Sequence, residues 1–291
     1  MQAAQEFLCD IAEKISMPDI YPKIRALMAN PQAKVEDYEK LVNADSMLAI
    51  RVMRIANSEF FGFNRPARDL YQAISLIGVI QLHDLLLSSL CMRTFYNIPE
   101  QLFNFNDFWY HGTQCGIASR RIAQLCRLPA PNRFFTLGLL LKIGQAAMFI
   151  KAPDLTLTVM QQSQGQQQPI DRIEREHFGF DYCQLGAALM RKWHLPEVYP
   201  QILEHQLRPS HSKLDFRDAA EIVGLAALIC DKAKPDKLGI QEKLLNYKLF
   251  SQLPINFEED VINEINNNVD SVFDLLSPPL VNNHLGSMGT Q

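Results

Sequence analysis

Apolar residues recur every three to four positions along most of the chain, which is the spacing of an amphipathic α-helix. The segments YPKIRALMA (21–29), VEDYEKLVN (35–43) and SMLAIRVMRIAN (46–57) show it, and the apolar run that begins near residue 70 continues it for several turns. Alternation typical of a strand is confined to LTLTV (155–159), which is short. The pattern therefore predicts an all-α protein.

Residues that favour turns interrupt the helical pattern at four places. These are NIPEQ (97–101), LPAPNR (128–133), SQGQQQP (163–169) and LRPSHSK (207–213). The first break predicts an N-terminal helical half over residues 1–100 and a C-terminal helical half over residues 101–275. Residues 276–291 carry two prolines followed by small polar residues, which predicts a flexible tail.

The segment FFTLGLLLKIGQAAMF (134–149) predicts one buried helix, because it is apolar on nearly every side. Lys142 stands in its middle. A charge is rarely buried without a partner. We favour the interpretation that the Lys142 stem lies along apolar neighbours while its ammonium group reaches water or a carboxylate.

Composition and charge narrow the class of partner. The chain of 291 residues is 47% apolar and 21% charged, with a formal net charge of −4 and a pI of about 6.0. This balance offers no electrostatic argument for binding nucleic acid or an anionic membrane. The N-terminus does not resemble a signal peptide, and no uninterrupted apolar stretch approaches the length of a membrane span, so we expect a cytoplasmic protein. None of the six cysteines forms a C-x-x-C pair, so we expect reduced thiols packed as small hydrophobic residues.

Adjacent or closely spaced His and Asp residues offer few candidates for chemistry. His83 and Asp84 are neighbours on a helix and point about 100° apart, so we expect them on a solvated helix face. His177 and Asp181 are separated by Gly179, which suggests that a helix ends between them. His194 reads as the end of a helix. The chain has no nucleophile elbow and no glycine-rich phosphate loop.

Two longer segments carry motifs that occur together in order. The first is ADSMLAIRVMRIANSEFFGF (44–63), with Asn57-Ser58 and Gly62, followed by the Gly78 step. The second runs from FWYHG through LGLLLKIGQ to EREHFGFDYCQLGAALMRKWHLPEVYPQILEHQLRP. Together they resemble the HDOD family over roughly residues 10–235, and this resemblance implies a multi-helix bundle like the HD domain, with an N-terminal helical subdomain. Asn57, Ser58, Gly62 and Gly78 would be structural or interface positions.

The HD-domain phosphohydrolases related to this family hold divalent metal ions through His and Asp side chains, which activate water against a phosphoester. Carried over by the resemblance, His111 matches the first histidine of that set. The adjacent His-Asp pair falls at Leu141-Lys142, and the next histidine falls at Tyr182.

The remaining ligand positions are also altered. The family's His-His pair falls at His205-Gln206 and is half retained, while the last aspartate falls near Ala227, one helical turn before Asp231. The resemblance therefore implies a degenerate site without metal or other cofactor. Its pocket would be lined by His111, Leu141, Lys142, Tyr182, His205 and Gln206.

These observations predict a non-catalytic regulatory or interaction module in bacterial signal transduction. Its partner would be a signalling protein or a small anionic ligand, of which a nucleotide is one kind. The alternative is a metal-dependent phosphohydrolase or phosphodiesterase with a rearranged ligand set, in which His111 and His205 act with Asp181 or Asp231. A third hypothesis is a scaffold that acts through an exposed apolar patch on its N-terminal helices.

Overall fold

The computed structural model describes residues 2–63, 65–95, 104–166, 169–231, 249 and 252–277. The N-terminal half holds α1 (Gln2–Cys9), α2 (Ile20–Ala29), α3 (Val35–Asn43), α4 (Ser46–Ala56), α5 (Leu70–Ile77) and α6 (Val79–Phe95). The C-terminal half holds α7 (Phe105–Leu125), α8 (Pro131–Leu139), α9 (Ile143–Lys151), α10 (Pro153–Gln166), α11 (Ile170–Phe178), α12 (Tyr182–Lys192), α13 (Val198–His205), a 3₁₀ turn (Pro209–His211), α14 (Leu214–Cys230) and α15 (Phe257–Leu276). No strand occurs in these ranges, so the all-α prediction is confirmed.

The breaks predicted from turn residues have mixed outcomes. The break at 207–213 lies between α13 and α14, whereas the break at 128–133 covers the end of the loop after α7 and the first three residues of α8. Residues 155–159 are helical, and α10 continues to Gln166, so the start of the predicted loop at 163–169 is helix instead. The break at 97–101 and residues 278–291 of the predicted tail lie outside the described residues.

The expected single helix over residues 134–149 is wrong: α8 and α9 are separated by a turn at residues 140–142. Two close backbone approaches explain this turn. A Cβ on Gly138 would lie 2.3 Å from the Cys115 carbonyl oxygen, and a Cβ on Gly144 would lie 2.0 Å from the Tyr182 carbonyl oxygen. Because α8 lies directly against α7 and α9 directly against α12, the chain turns between these two contacts at Lys142.

The same stretch, Pro131–Lys151, is long and apolar enough to cross a membrane by length and composition, with a mean hydropathy of 1.4 over its most apolar window. Of that window, 83% is buried inside the protein. A second such stretch arises in the described residues only if α5 and α6, which bend by 104°, are counted as one. Packing in the core accounts for the apolar composition of Pro131–Lys151.

The motif residues of the N-terminal half shape its backbone. Asp45 caps α4 by accepting hydrogen bonds from the backbone N–H groups of Met47 and Leu48, both at 3.1 Å. The Asn57 side chain spans the next loop: it donates to the Ala67 carbonyl at 3.2 Å and accepts from the Ala67 N–H at 2.8 Å. These bonds fix how the chain leaves α4.

The two helical halves share one core. Helix α6 is buried at every position from Leu82 to Met92 and packs against α8, while α1 packs against α12. Helix α15 returns to pack on α7 and also contacts α4 and α6. Arg51 of α4 donates to the Ser277 carbonyl oxygen at 2.9 Å, so a cation neutralises the C-terminal end of α15.

Candidate functional site

The turn at Leu141 and Lys142 is held by an amide from α13. Gln206 is fully buried, and its Nε2 lies 2.8 Å from the Leu141 carbonyl oxygen and 3.1 Å from the Leu203 carbonyl oxygen. The same Nε2 lies 3.4 Å from Cys183 Sγ. A backbone carbonyl and a side-chain amide therefore meet where the family resemblance places a His-Asp pair and a histidine.

Lys142 occupies the N-cap position of α9 and is partly buried. Within the described ranges it forms no ion pair with a carboxylate. Its positive charge acts instead on the thiol of Cys115.

Cys115 is a fully buried thiol on α7, one helical turn after His111. Its Sγ lies 3.7 Å from His111 Nε2. Burial alone would raise the pKa of Cys115, but hydrogen bonds with Cys230 and His111 and the charges of His111 and Lys142 outweigh it and lower the pKa. Thiols thus lie beside His111 and Gln206, and the sequence analysis had interpreted them only as core residues.

A simple signal could have located these cysteines. Cys115 follows His111 by four positions, which places both on one helix face. Cys183 directly follows Tyr182 at the start of α12. Residues that are adjacent to a family ligand position, or one helical turn from it, are therefore candidates for the same site.

Tyr182 is buried at the start of α12, and its backbone N–H donates to Glu174 Oε2 at 2.7 Å. Glu174, which is 1% exposed, also accepts from Gln145 Nε2 at 3.2 Å. Burial raises the pKa of Glu174 to about 8, despite the two hydrogen bonds that lower it. The carboxyl group of Glu174, which sequence analysis did not single out, is therefore mostly protonated at neutral pH.

His205 faces a separate pocket of about 130 Å³. The pocket is lined by Asp181, Cys183, Gln184, Glu204, His205, Leu207, Arg208 and His211. Neither His111 nor Lys142 is part of its lining. The six residues expected in one pocket do not line a single pocket. Gln206 bonds to the Leu141 carbonyl, His111 and Lys142 act on Cys115, and His205 lines the pocket. Tyr182 is buried beside Cys183, which contacts Gln206 and also lines the pocket.

The residues present do not fit a divalent metal ion. Leu141 offers no side-chain lone pair, and the Lys142 ammonium group would repel a cation. In the described part of the chain, no three His, Cys, Asp or Glu side chains are placed to hold a metal ion.

The two aspartates of the rearranged ligand set have other places in the fold. Asp181 is the N-cap of α12, forms a capping box with Gln184 and is ion-paired with Arg175. Asp231 is the C-cap residue of α14. The structure does not bring either carboxylate together with both His111 and His205 in a cluster of the described residues.

The His83-Asp84 pair is buried, so its expected place on a solvated helix face is wrong. Each of the two residues is only 2% exposed. The reason is that α6 is enclosed by neighbouring helices, including α2, α5 and α8. Its apolar residues lie on all sides, which is typical of a buried helix.

A polar network satisfies this pair completely. Asp84 Oδ1 accepts from His83 Nδ1 at 3.1 Å and from the Tyr199 hydroxyl, while its Oδ2 accepts from Arg133 Nε at 3.1 Å. The Tyr21 hydroxyl lies 3.2 Å from His83 Nε2. The carboxylate oxygens of Asp84 and the ring nitrogens of His83 are thus hydrogen-bonded to side chains from α2, α6, α8 and α13, so they are not free to bind a metal ion.

The other two histidines singled out in the sequence lie at helix ends. Helix α11 ends at Phe178, and Gly179 follows with φ +79°, so His177 and Asp181 do not share one helix. His194 is exposed and has φ +57° just after α12.

Solved structures resemble this fold closely at low sequence identity. An HDOD domain protein of unknown function from Geobacter sulfurreducens superposes with a TM-score of 0.72 at 19% identity, covering 94% of this chain and 96% of its own. A protein from Shewanella amazonensis SB2B, named as a candidate phosphohydrolase, also gives 0.72 at 19% identity, covering 93% and 98%. A candidate signal transduction protein from Marinobacter aquaeolei VT8 gives 0.70 at 18% identity, covering 95% of this chain and 64% of that one.

One curated relative, an uncharacterised protein from Treponema pallidum (strain Nichols), is 21% identical over 223 residues. The match covers 74% of this chain but only 42% of that relative. A family model of the HDOD domain matches residues 15–209, which is more than half of the chain. The chain therefore belongs to the HDOD domain family.

Proposed function

We propose that this protein is a non-catalytic HDOD module that acts in bacterial signal transduction by binding a partner. The observation that carries the proposal is the pair Leu141-Lys142, whose side chains cannot hold the divalent ion of an HD phosphohydrolase. Metal-dependent hydrolysis tolerates few missing ligands, because the ion must be held while a coordination position stays open for water.

The surrounding contacts support the same proposal. The amide of Gln206 bonds to the Leu141 carbonyl, and Cys183 lies against that amide. The thiol of Cys115 lies against His111. The residues around the Leu141-Lys142 turn are thus hydrogen-bonded to one another within the chain. This arrangement favours a structural role over the binding of a metal ion.

The names of the solved relatives include both possibilities, a signal transduction protein and a phosphohydrolase. Whether this protein hydrolyses phosphoesters is therefore to be tested by an activity assay. The partner we propose is a signalling protein or a small anionic ligand, met in the cytoplasm. The net charge of −4 gives no support for nucleic acid or anionic membrane as that partner.

The test is hydrolysis of bis(p-nitrophenyl) phosphate, with Mn²⁺, Fe²⁺, Ni²⁺ or Zn²⁺ added in turn to chelator-treated protein. His111→Ala serves as the matched variant, because His111 is the retained first histidine of the ligand set. We expect the wild type and His111→Ala to give the same background rate with every metal. Metal-dependent turnover in the wild type that His111→Ala removes would overturn the proposal and favour the rearranged phosphohydrolase.

A further inference from the structure

The pocket beside His205 is the strongest candidate for a ligand site. It lies between the first turn of α12, the end of α13 and the 3₁₀ turn that follows. Its volume of about 130 Å³ suits a small polar group rather than an entire nucleotide. Seven of its eight lining residues carry a polar side-chain group, the exception being Leu207.

Each carboxylate at this pocket already has an arginine. Asp181 is paired with Arg175, and Glu204 lies 2.7 Å from Arg191. Arg175 also pairs with Asp171, and Arg191 also pairs with Glu197, so the carboxylates at this pocket are engaged in ion pairs and do not stand open as ligands for a cation.

The hydrogen-bonding capacity that remains is mainly that of donors. The imidazoles of His205 and His211 have no side-chain hydrogen-bond partner among the described residues, and a neutral imidazole keeps one N–H donor. Arg208 Nη2 lies 2.8 Å from Asp171 Oδ2, which leaves other guanidinium N–H groups for a ligand. Asp171 is also held by Arg175 at 2.7 Å, so Arg208 is not its only counter-ion.

The first turn of α12 also borders the pocket, but backbone N–H groups there are already bonded: Gln184 donates to Asp181 Oδ1 and Tyr182 donates to Glu174 Oε2. The groups left to recognise a ligand are the two imidazoles and the guanidinium group, which line one cavity. This combination of donors is the chemistry that recognises a phosphate group.

We propose that the pocket formed by His205, Arg208 and His211 binds a phosphate group, either as inorganic phosphate or as the phosphate of a small monoester such as a nucleotide. This inference deepens the proposed function, on which it rests, by naming the ligand class. It also places the ligand in a pocket whose lining does not include Lys142. The rest of a monoester would lie outside the cavity, over the exposed side chains of Arg208 and His211.

The experiment follows the ring resonances of ¹⁵N-labelled histidines while inorganic phosphate or, separately, adenosine monophosphate is added to the full-length protein at fixed pH without metal. We expect saturable shifts of His205 and His211. Equal affinity for the two probes would identify phosphate itself as the recognised group, and tighter binding of adenosine monophosphate would identify a nucleotide monoester. No saturable shift with either probe would overturn the proposal.

Two arginine variants make the test specific. Arg208→Gln is expected to weaken binding about tenfold, because a charge-assisted hydrogen bond is lost. Arg172→Gln is the matched control: Arg172 lies on α11, is exposed, pairs with Glu176 and does not line the pocket. Equal affinity of Arg208→Gln and wild type, or equal weakening in both variants, would contradict the proposal.

The phosphate titration and the hydrolysis assay test the two proposals independently. Phosphate binding together with metal-dependent turnover would support the phosphate pocket and contradict the non-catalytic function. Absence of both phosphate binding and turnover would contradict the phosphate pocket alone.

Discussion

Two regions of this protein bear on the same chemistry, and they differ in an instructive way. The His83-Asp84 pair on α6 has the residue types of an HD-domain metal site but is buried with every polar atom engaged. The Leu141-Lys142 turn, to which the family resemblance assigns that site, does not have its ligands. A ligand pair is thus present on α6 and absent from the position that the resemblance predicts.

The comparison shows that a metal site depends on what surrounds a His-Asp pair. At His83-Asp84, Tyr199 and Arg133 fill the acceptor capacity of the carboxylate, so the cluster joins α6 to α8 and α13. At the family position, Gln206 donates to the Leu141 carbonyl oxygen and holds the turn. We infer that both regions now serve the scaffold, and that the pocket lined by His205 is the place for a ligand.

The largest effect is expected from breaking the His83-Asp84 region. Asp84→Ala leaves the buried His83 ring and Tyr199 hydroxyl, and the partly exposed Arg133, without their shared acceptor. Removing one partner of a buried charged network costs about 3–5 kcal/mol. Urea unfolding should show this loss in the free energy of unfolding.

Asp154→Ala is the control for this variant, because Asp154 is exposed in the first turn of α10. It should change the free energy of unfolding by less than about 0.5 kcal/mol. If Asp84→Ala cost no more than this control, the network would not be the structural tie described above.

A smaller loss is expected at the family position. Gln206→Ala removes the donor from the Leu141 carbonyl oxygen and leaves a small void in the core. An unsatisfied buried acceptor costs about 1–3 kcal/mol. Gln201→Ala, five positions earlier on α13 and bonded to Glu197, is the control for thermal unfolding and should be nearly neutral. A Gln206→Ala variant as stable as Gln201→Ala would contradict the role given to this amide.

The pH dependence of stability should identify Glu174. Its folded-state pKa is raised to about 8, from 4.5, mainly by burial. Between these two values the folded state holds a proton that the unfolded state has released, so the contribution of Glu174 to stability falls as pH rises and levels off above about pH 8.

Glu174→Gln removes that titration. The variant should therefore gain stability relative to wild type between pH 5 and pH 8, measured as the difference in urea midpoints at each pH. A constant difference across this range would show that the Glu174 carboxyl group does not titrate as described.

The smallest effect concerns Lys142. Its charge is one of several causes that lower the pKa of Cys115, after the hydrogen bonds with Cys230 and His111. Lys142→Met should raise the pKa of Cys115 by less than about one unit. The pKa of Cys115 is measured from thiolate absorbance near 240 nm, after subtracting the absorbance of the same protein with Cys115→Ala. An unchanged or lower pKa in Lys142→Met would place the Lys142 ammonium group away from the thiol.

Much of the fold could be predicted from the sequence, because apolar spacing and proline-rich breaks act locally. The turn at Lys142 could not, since Leu-Leu-Lys carries no turn signal and the turn arises from the contacts of Gly138 and Gly144 with two other helices. The burial of Asp84 could have been read from the leucines on all sides of α6, but its partner Tyr199 lies 115 positions away.

The candidate site was only partly readable for the same reason. The loss of the His-Asp pair at Leu141 and Lys142 is visible in the sequence itself. Which way Gln206 and His205 face is decided by the packing of α13 against α12, so the division between the closed turn and the open pocket appears only in the structure.

The most direct test of the central claim is the metal content of the protein, purified without chelator and without a metal-binding tag, by elemental mass spectrometry. If the Leu141-Lys142 turn is closed by protein contacts as described, manganese, iron, zinc and nickel should stay at background. Near-stoichiometric amounts of any of them would contradict the account and direct attention to Asp181 and Asp231 as substitute ligands.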